Sequence, residues 1–376
     1  MNIALIEMRR AKLRFGLLAG AVALLIFLVI FLSALSSALV NSLTGALKTL
    51  DAPVLAYSAP ARDNLQASRL PEATVAKVAE VSGVADAGGV ATATVPATFP
   101  PDTQSAKASL SDLQLFAFTP GKPGAPTALT SGELPTSEGQ TAVDVPGAKI
   151  GDVITLKSDG TSKPIPLKVV GLLRGAQFSG TPTAYVTLTE YGTYLKETNP
   201  ALPFVPINAV AATLTPGASA TEVADAITGS VPGVKGYEQS TAVSLIPGIA
   251  SISQTFGILV GLTFIISIVV IGFFFLILTV QKLRVFTLLR AVGASGANLS
   301  ATLALQIAIV VVVASALASL LAYGALKGLN SGIPVTLSPI LVLVTTVAVL
   351  IASLIAGMLS ISRIRKIDPA TAAGAR

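Results

Sequence analysis

FGLLAGAVALLIFLVIFLSALSSALV, residues 15–40, carries no charge over its whole length. A helix rises 1.5 Å per residue, so about 20 apolar residues cross the hydrocarbon core of a bilayer, and this stretch is long enough. Three more charge-free apolar runs, near Ile249–Val280, Thr302–Tyr323 and Ile340–Ile361, follow only after roughly 200 residues of ordinary globular composition. The order is one span, one large polar segment, then three spans. The expected fold is therefore a membrane α-helical protein, four transmembrane helices in 1 + 3 order, with an extracellular α/β plus β bilobed domain.

The bulk composition agrees. Of 376 residues 52% are hydrophobic and 12% charged, with mean hydropathy +0.76, where soluble domains carry about 25% charge. Arg9, Arg10, Lys12 and Arg14 precede the first run, and Lys282, Arg284 and Arg290 join the second run to the third. Arg363, Arg365, Lys366 and Arg376 close the chain. Only Glu7 and Asp368 oppose these eleven, whereas the rest of the chain holds 14 basic and 17 acidic residues. The positive-inside rule then puts both termini and the 281–300 loop in the cytoplasm and the large domain outside. The basic balance reports topology, so no nucleic-acid partner is needed to explain it. The first apolar run is also longer than the 7–15-residue core of a secretory signal, which favours a retained helix. The sequence has no Cys and no His. Disulfides are excluded, and so are the usual ligands of zinc, copper and iron–sulfur centres.

Along the chain, residues 1–14 read as a cytoplasmic amphipathic segment or as a plain basic flank. Residues 15–47 form a first transmembrane and stalk helix, and 48–248 the extracellular domain. Within that domain PEATVAKVAEVSGVADAGG (71–89) resembles ASATEVADAITGSVPGVKGY (218–237). Each is a helix with apolar residues at i, i+3, i+4, then a turn into a strand. Strand candidates Ala52–Ser58 and Ile207–Leu214 precede them, which predicts an α/β lobe from 48–90 and 205–248. A β-rich lobe, 91–204, is inserted between, with strands near Ile150–Leu156, Ile165–Leu173 and Thr183–Leu188 and a Pro/Gly-rich loop over Thr119–Thr136. Residues 249–376 supply three transmembrane helices, a cytoplasmic coupling loop (281–300) and the C-terminal tail. The absence of charge from Gln239 to Gln281 makes the second span longer than a bilayer requires, so it too is expected to project as a stalk.

No phosphate-binding GxxxxGK[ST] loop, HExxH or nucleophile-elbow pattern occurs, and without His a Ser-His-Asp arrangement is impossible. The chain is not expected to be an enzyme. Gln281–Ala294 sets Leu283, Phe286, Leu289 and Val292 on one helical face, with Lys282, Arg284 and Arg290 elsewhere and a break at Gly293. Such a helix either lies on the bilayer or docks in a groove of a soluble partner. The run LLRAVGAS (288–295) after a long span, the tail IRKIDPA (364–370) and the 1 + 3 layout resemble the MacB/FtsX-type permeases of ABC transporters over essentially the whole chain. The loop departs from that pattern in lacking a Glu before its apolar core.

That resemblance implies a homodimer driven by two copies of a separate ABC ATPase, contacted through Lys282, Arg284, Phe286, Leu289, Arg290 and Gly293. ALIEMRRAKLRF (4–15), DNLQASRL (63–70) and GFFFLILTVQK (272–282) are similar to the haem-efflux subgroup of the HrtB type. They imply export of haem as a transported ligand, with no resident cofactor. With Met only at positions 1, 8 and 358, an outer-leaflet iron ligand would have to be Tyr or carboxylate. Tyr57, Tyr237 and Glu238 are the candidates, and packing within strands is the other reading of the tyrosines. Ser37 and Asn41 on the first span and Gln254 on the second either line a lateral opening for an amphiphile or pack the helices. Two rivals stand beside haem export: export of a lipid, peptide or antibiotic on the same frame, and signalling without cargo.

Overall fold

The computed structural model describes residues 11–100, 111–157, 164–281, 296–328 and 339–365. The coupling residues Lys282, Arg284, Phe286, Leu289, Arg290 and Gly293, most of the N-terminal amphipathic segment and the C-terminal tail lie outside them. The chain divides into two compact units, one helical and the other comprising residues 38–253.

The helical unit is built from α1 (Lys12–Lys48), as far as Ser37, and from α6 (Ile249–Gln281), α7 (Gly296–Gly328) and α8 (Pro339–Arg365). Three of these helices are long and apolar enough to cross a membrane, over Phe15–Lys48, Ile249–Phe274 and Ala304–Lys327. In α8 the described side chains, Pro339–Ile355, form a further apolar stretch. Phe15, Leu18, Val22, Ile26 and Ile30 of α1 are buried at three- and four-residue steps, and so are Val310, Ala314, Ala318 and Ala322 of α7. In lipid, hydrophobicity alone does not draw helices together; the small residues at every fourth position let backbones approach and pack. α6 is different. Ile258, Leu262, Ile265, Val269 and Phe273 are exposed, while Ser267 and Ile271 are buried. With 37 and 33 residues, α1 and α6 extend about 55 and 50 Å, well beyond a bilayer core of about 30 Å.

Among the described residues, the second unit holds ten strands in one sheet. They are β1 (Val54–Ser58), β2 (Val84–Thr98), β3 (Ser111–Phe118), β4 (Leu129–Gly132), β5 (Gln140–Asp144), β6 (Val153–Leu156), β7 (Ile165–Leu173), β8 (Thr183–Thr187), β9 (Ala209–Leu214) and β10 (Val234–Glu238). Between them lie α2 (Thr74–Ala79), α3 (Leu188–Thr198), α4 (Ala220–Ser230) and α5 (Gln239–Ser244). Two sub-structures share β2. The first runs β10-β1-β9-β2, all antiparallel. The strand–helix–strand units β1-α2-β2 and β9-α4-β10 thus interleave as in a ferredoxin-like split βαβ arrangement. Val54 and Ala56 face α2 and α4, in a cluster with Val78, Val223 and Ile227. Leu55 and Tyr57 face the other way, as the period of two requires.

The second sub-structure closes on itself. β2 pairs β3, β3 pairs β8 in parallel, and β8 pairs β5. β5 then pairs β7 in parallel, while the short β6 pairs both β7 and β2. The six strands make a small barrel filled by Val95, Leu113, Leu115, Ile154, Leu156, Leu167 and Val169. Closure leaves few open edges; among the described residues the short, exposed β4 pairs β7 alone. Here the structure differs from the sequence reading, because β4 falls inside the Pro/Gly-rich stretch expected to be a loop. Its four residues are all exposed and carry no apolar alternation, so periodicity gives no sign of them. A helix, α3, also occupies part of the β-rich segment. Thr187 caps it by accepting the Glu190 N–H at 3.2 Å.

Candidate functional site

The last turns of α1, which belong to the second unit, are bonded into the sheet domain. Ala46 N–H donates to the Gln177 carbonyl at 2.9 Å, and Gly180 N–H donates to that of Ser42 at 3.0 Å. The Gln239 amide donates to the carbonyls of Leu47 and Leu50 at 2.8 and 3.0 Å. Ala46, Leu47 and Leu50 are buried with Leu55, Tyr57, Phe116, Phe178, Tyr185 and Tyr237. The segment receiving the helix is itself held from behind. The buried Asp144 carboxylate accepts the Ala176 N–H at 2.7 Å, and the Tyr185 hydroxyl donates to the Ala176 carbonyl at 3.0 Å. Burial pushes the Asp144 carboxyl above its usual range, since removal from water penalises the ionised form.

Beside this anchor lies a cavity of about 220 Å³ lined by Leu43, Tyr57, Asp63, Gln66, Ser179 and Ile246, among others. Leu43 comes from α1, and Ile246 and Pro247 lead straight into α6, so the cavity is bounded by both segments that connect this domain to the apolar helices. Tyr57 on β1 and Tyr237 on β10 share the face away from α2 and α4, with ring centroids 5.1 Å apart. Tyr237 donates its hydroxyl to Asp63 Oδ1, and Lys235 Nζ reaches the same oxygen at 3.0 Å. The Tyr237 and Lys235 hydrogen bonds hold the Asp63 carboxyl below its usual range. Burial, then Asp63, pushes the Tyr237 phenol up to about 12.

Tyr57 is only 1% exposed, and its hydroxyl has no hydrogen-bond partner among the described residues. A buried, unpaired hydroxyl costs about 1–3 kcal/mol, and nearly all such groups in folded proteins find partners. The backbone around the cavity is strained as well. Among the described residues, the non-glycine positions with left-handed φ are Arg62 (49°), Asp63 (68°) and Ser179 (52°). Two of the three line this cavity and the third adjoins it. Strain of this kind persists where the surroundings enforce it, and it gathers at ligand clamps. Tyr57→Phe is therefore expected to raise thermal stability, by about 1 kcal/mol, because it removes the unpaired hydroxyl and little else. Melting of the purified chain tests this; a drop of similar size would mean the hydroxyl is satisfied.

The structure brings together only part of the candidate set. Tyr57 and Tyr237 are adjacent. Glu238, one residue along β10, lies on the opposite face, where it accepts from Ser240 Oγ at 2.9 Å and Thr221 Oγ1 at 3.4 Å. Asn41 is exposed and accepts from Lys48 Nζ at 3.0 Å. Ser37 and Gln254 are exposed positions of the helical unit. Asp63, Gln66 and Ser179 were not among the sequence candidates. The Arg62–Asp63–Asn64 run was the available signal, since Asp and Asn tolerate left-handed conformations better than most residues. No cluster of three metal-ligating acidic, His or Cys side chains occurs among the described residues.

Long apolar helices and a large mixed-sheet domain define an integral membrane protein with a large extracellular domain. Residues 15–230 match the MacB-like periplasmic core domain, and residues 257–369 match the FtsX-like permease C-terminal domain. The chain belongs to the MacB/FtsX-type family of ABC permeases, whose permease subunits are typically non-catalytic and work with an ATPase partner. Similar solved structures include the extracellular domain of the ABC-type transporter YknZ from Gram-positive bacteria, at 13% identity and a TM-score of 0.32, covering 49% of this chain and 98% of that one. The periplasmic region of MacB from Actinobacillus actinomycetemcomitans matches at 8% identity and a TM-score of 0.35, covering 54% and 96%. A permease domain from Porphyromonas gingivalis matches at 10% identity and a TM-score of 0.31, covering 51% and 91%.

Proposed function

We propose that this chain is the permease subunit of an ABC-type efflux pump that expels an amphiphilic cargo, haem first among those to test, from the outer leaflet of a bacterial cytoplasmic membrane. In this reading the chain is a homodimer, both termini are cytoplasmic, and two ATPase subunits dock on the 281–300 segment through Lys282, Arg284, Phe286, Leu289, Arg290 and Gly293. ATP-driven closure of the ATPases would move α1 and α6 as levers on the outer domain. The observation that carries the reading is the unpaired Tyr57 hydroxyl in a cavity bounded by the chain segments entering both levers.

At about 220 Å³ the cavity is smaller than the roughly 300–1,000 Å³ typical of ligand pockets. A porphyrin would enter only with the turns at Arg62–Asp63 and Ser179 displaced, and their left-handed strain is what such a displacement would release. Iron ligation by Tyr57 or Tyr237 requires a phenolate. Burial raises both phenols, so ferric haem would have to expel a proton on binding. Haem affinity is then expected to rise with pH, by about tenfold per unit through the neutral range. Haem titrations of the permease–ATPase complex, followed at the Soret band from pH 6 to 9, test the cargo and its ligand together. Absence of both a spectral change at micromolar haem and haem-stimulated ATPase activity sinks the cargo. Stimulation by a lipid, peptide or antibiotic instead would keep the pump and change what it carries.

The bonding of α1 into the outer domain favours a second reading, a mechanotransmitting permease that moves no cargo. Capture of a cell-wall hydrolase by the full-length chain, with no stimulation by any amphiphile, would select it.

A further inference from the structure

A second cavity, of about 440 Å³, lies where the ferredoxin-like strands meet the barrel, and Arg69, Thr92, Gln114, Tyr191, Leu195 and Leu202 help to line it. Its size falls within the ordinary range of small-molecule sites. The Arg69 guanidinium is fixed in place: Nη1 donates to the carbonyls of Gln66 and Ser68 at 2.7 and 2.8 Å. Those bonds occupy Nη1 and leave the edge formed by Nε–H and Nη2–H without a protein partner among the described residues. That edge is the one that grips a carboxylate with two parallel hydrogen bonds. No carboxylate of the described residues forms an ion pair with Arg69.

The remaining walls are chosen differently. Gln114 is 1% exposed and spans two hydroxyls, donating to Thr92 Oγ1 and accepting from Thr94 Oγ1 at 2.9 Å. Tyr191 is 3% exposed, and its hydroxyl donates to the Thr92 carbonyl only at 3.5 Å, near the limit of a hydrogen bond. Leu195, Leu202 and Pro206 add apolar surface. One preoriented cation, a weakly bonded phenol and an apolar wall suit a monoanion with an apolar body. A phosphate dianion would want a second cation, and none lines the cavity among the described residues.

We propose that this cavity is a binding site for a small amphiphilic carboxylate, with the carboxylate on the Nε–Nη2 edge of Arg69 and the apolar body against Leu195 and Leu202. The site adjoins the Tyr57 cavity, with Gln66 lining both, and does not depend on the cargo assigned there.

Hexanoate and its neutral analogue hexanamide serve as probes, titrated against the full-length chain in detergent with saturation-transfer NMR as the readout. Hexanoate should bind at millimolar or lower concentration, with hexanamide at least tenfold weaker. Arg69→Gln should lose most of the hexanoate affinity. Arg69 also ties the carbonyls of Gln66 and Ser68, so a second variant, Leu202→Asp, tests the site from its half-exposed apolar wall, where repulsion should weaken hexanoate at least tenfold and leave the melting temperature unchanged. Hexanoate binding that equals hexanamide binding, or that survives both substitutions, overturns the proposal. So does a failure of hexanoate to bind wild type at 10 mM.

Discussion

Gly45→Val is expected to destabilise the outer domain by about 3 kcal/mol and to uncouple α1 from it. Glycine inside a helix costs about 1 kcal/mol relative to alanine, so its place three residues before the end of α1 needs a reason. A Cβ at position 45 would overlap the Gly175 carbonyl and lie 3.0 Å from the Gln177 carbonyl. Both obstacles are backbone, and neither can rotate away as a side chain would. Valine must therefore push α1 off the 175–180 segment, which breaks the bond from Ala46 N–H to Gln177 and those from Ser179 and Gly180 to Leu43 and Ser42. If the chain works as the proposed pump, basal ATPase activity of its complex with the ATPase should survive, because the substitution lies in the outer domain, while stimulation by the proposed cargo should fall to the basal level. Gly20→Val is the control, since nothing lies within 4 Å of a Cβ there. Equal behaviour of the two variants, in melting and in stimulated ATPase activity, would dispose of the anchoring argument.

What could be read from the residues alone divides by the range of the interactions concerned. The apolar helices are local: hydropathy over about 20 residues decides them, and the runs beginning at Phe15 and Ile249 lie within helices Lys12–Lys48 and Ile249–Gln281. Strands with apolar alternation and flanking turns were also legible; Ile165–Leu173 is a strand over its full expected length. The closure of the barrel was not. It depends on Leu156 meeting Ala97 and also Ile165, pairings set by the twist of the sheet and by no pattern within either strand. The helix Leu188–Thr198 was signalled locally, by Thr187 three residues ahead of Glu190 in capping-box spacing. Glu190 then turns to the Gly139 N–H, 2.6 Å away, a tertiary use that spacing cannot show. The site behaves likewise. That Tyr57 and Tyr237 meet follows from the strand register, and the separation of Glu238 follows from alternation along β10. Asp63, brought in by a strained turn, has no counterpart in any periodic signal.

Phe116→Ala is expected to cost about 3–5 kcal/mol, a large fraction of a domain's total stability. On β3, Leu113, Leu115 and Ala117 point into the barrel, while Phe116 and Phe118 point outward to the cluster around the end of α1. Phe116 is 1% exposed and touches two aromatic rings, edge-on to Phe178 at 5.3 Å and beside Tyr185 at 5.7 Å. Removing its ring leaves a void that neighbours on paired strands cannot close, because β3 is held by β2 on one side and β8 on the other. The consequence reaches the site, since Phe178 lines the Tyr57 cavity and has Phe116 behind it. Ligand affinity there should fall along with the melting temperature. Phe116→Leu separates the two effects: it keeps most of the buried volume and should recover most of the stability, while the edge-on contact to Phe178, worth about 1 kcal/mol, stays lost. Thermal melts of both variants, paired with titrations of the proposed haem cargo at a temperature where each is folded, give the measurement. A Phe116→Ala loss under about 1 kcal/mol would mean that the cluster closes around the gap, and the rigid wall inferred behind Phe178 would not exist.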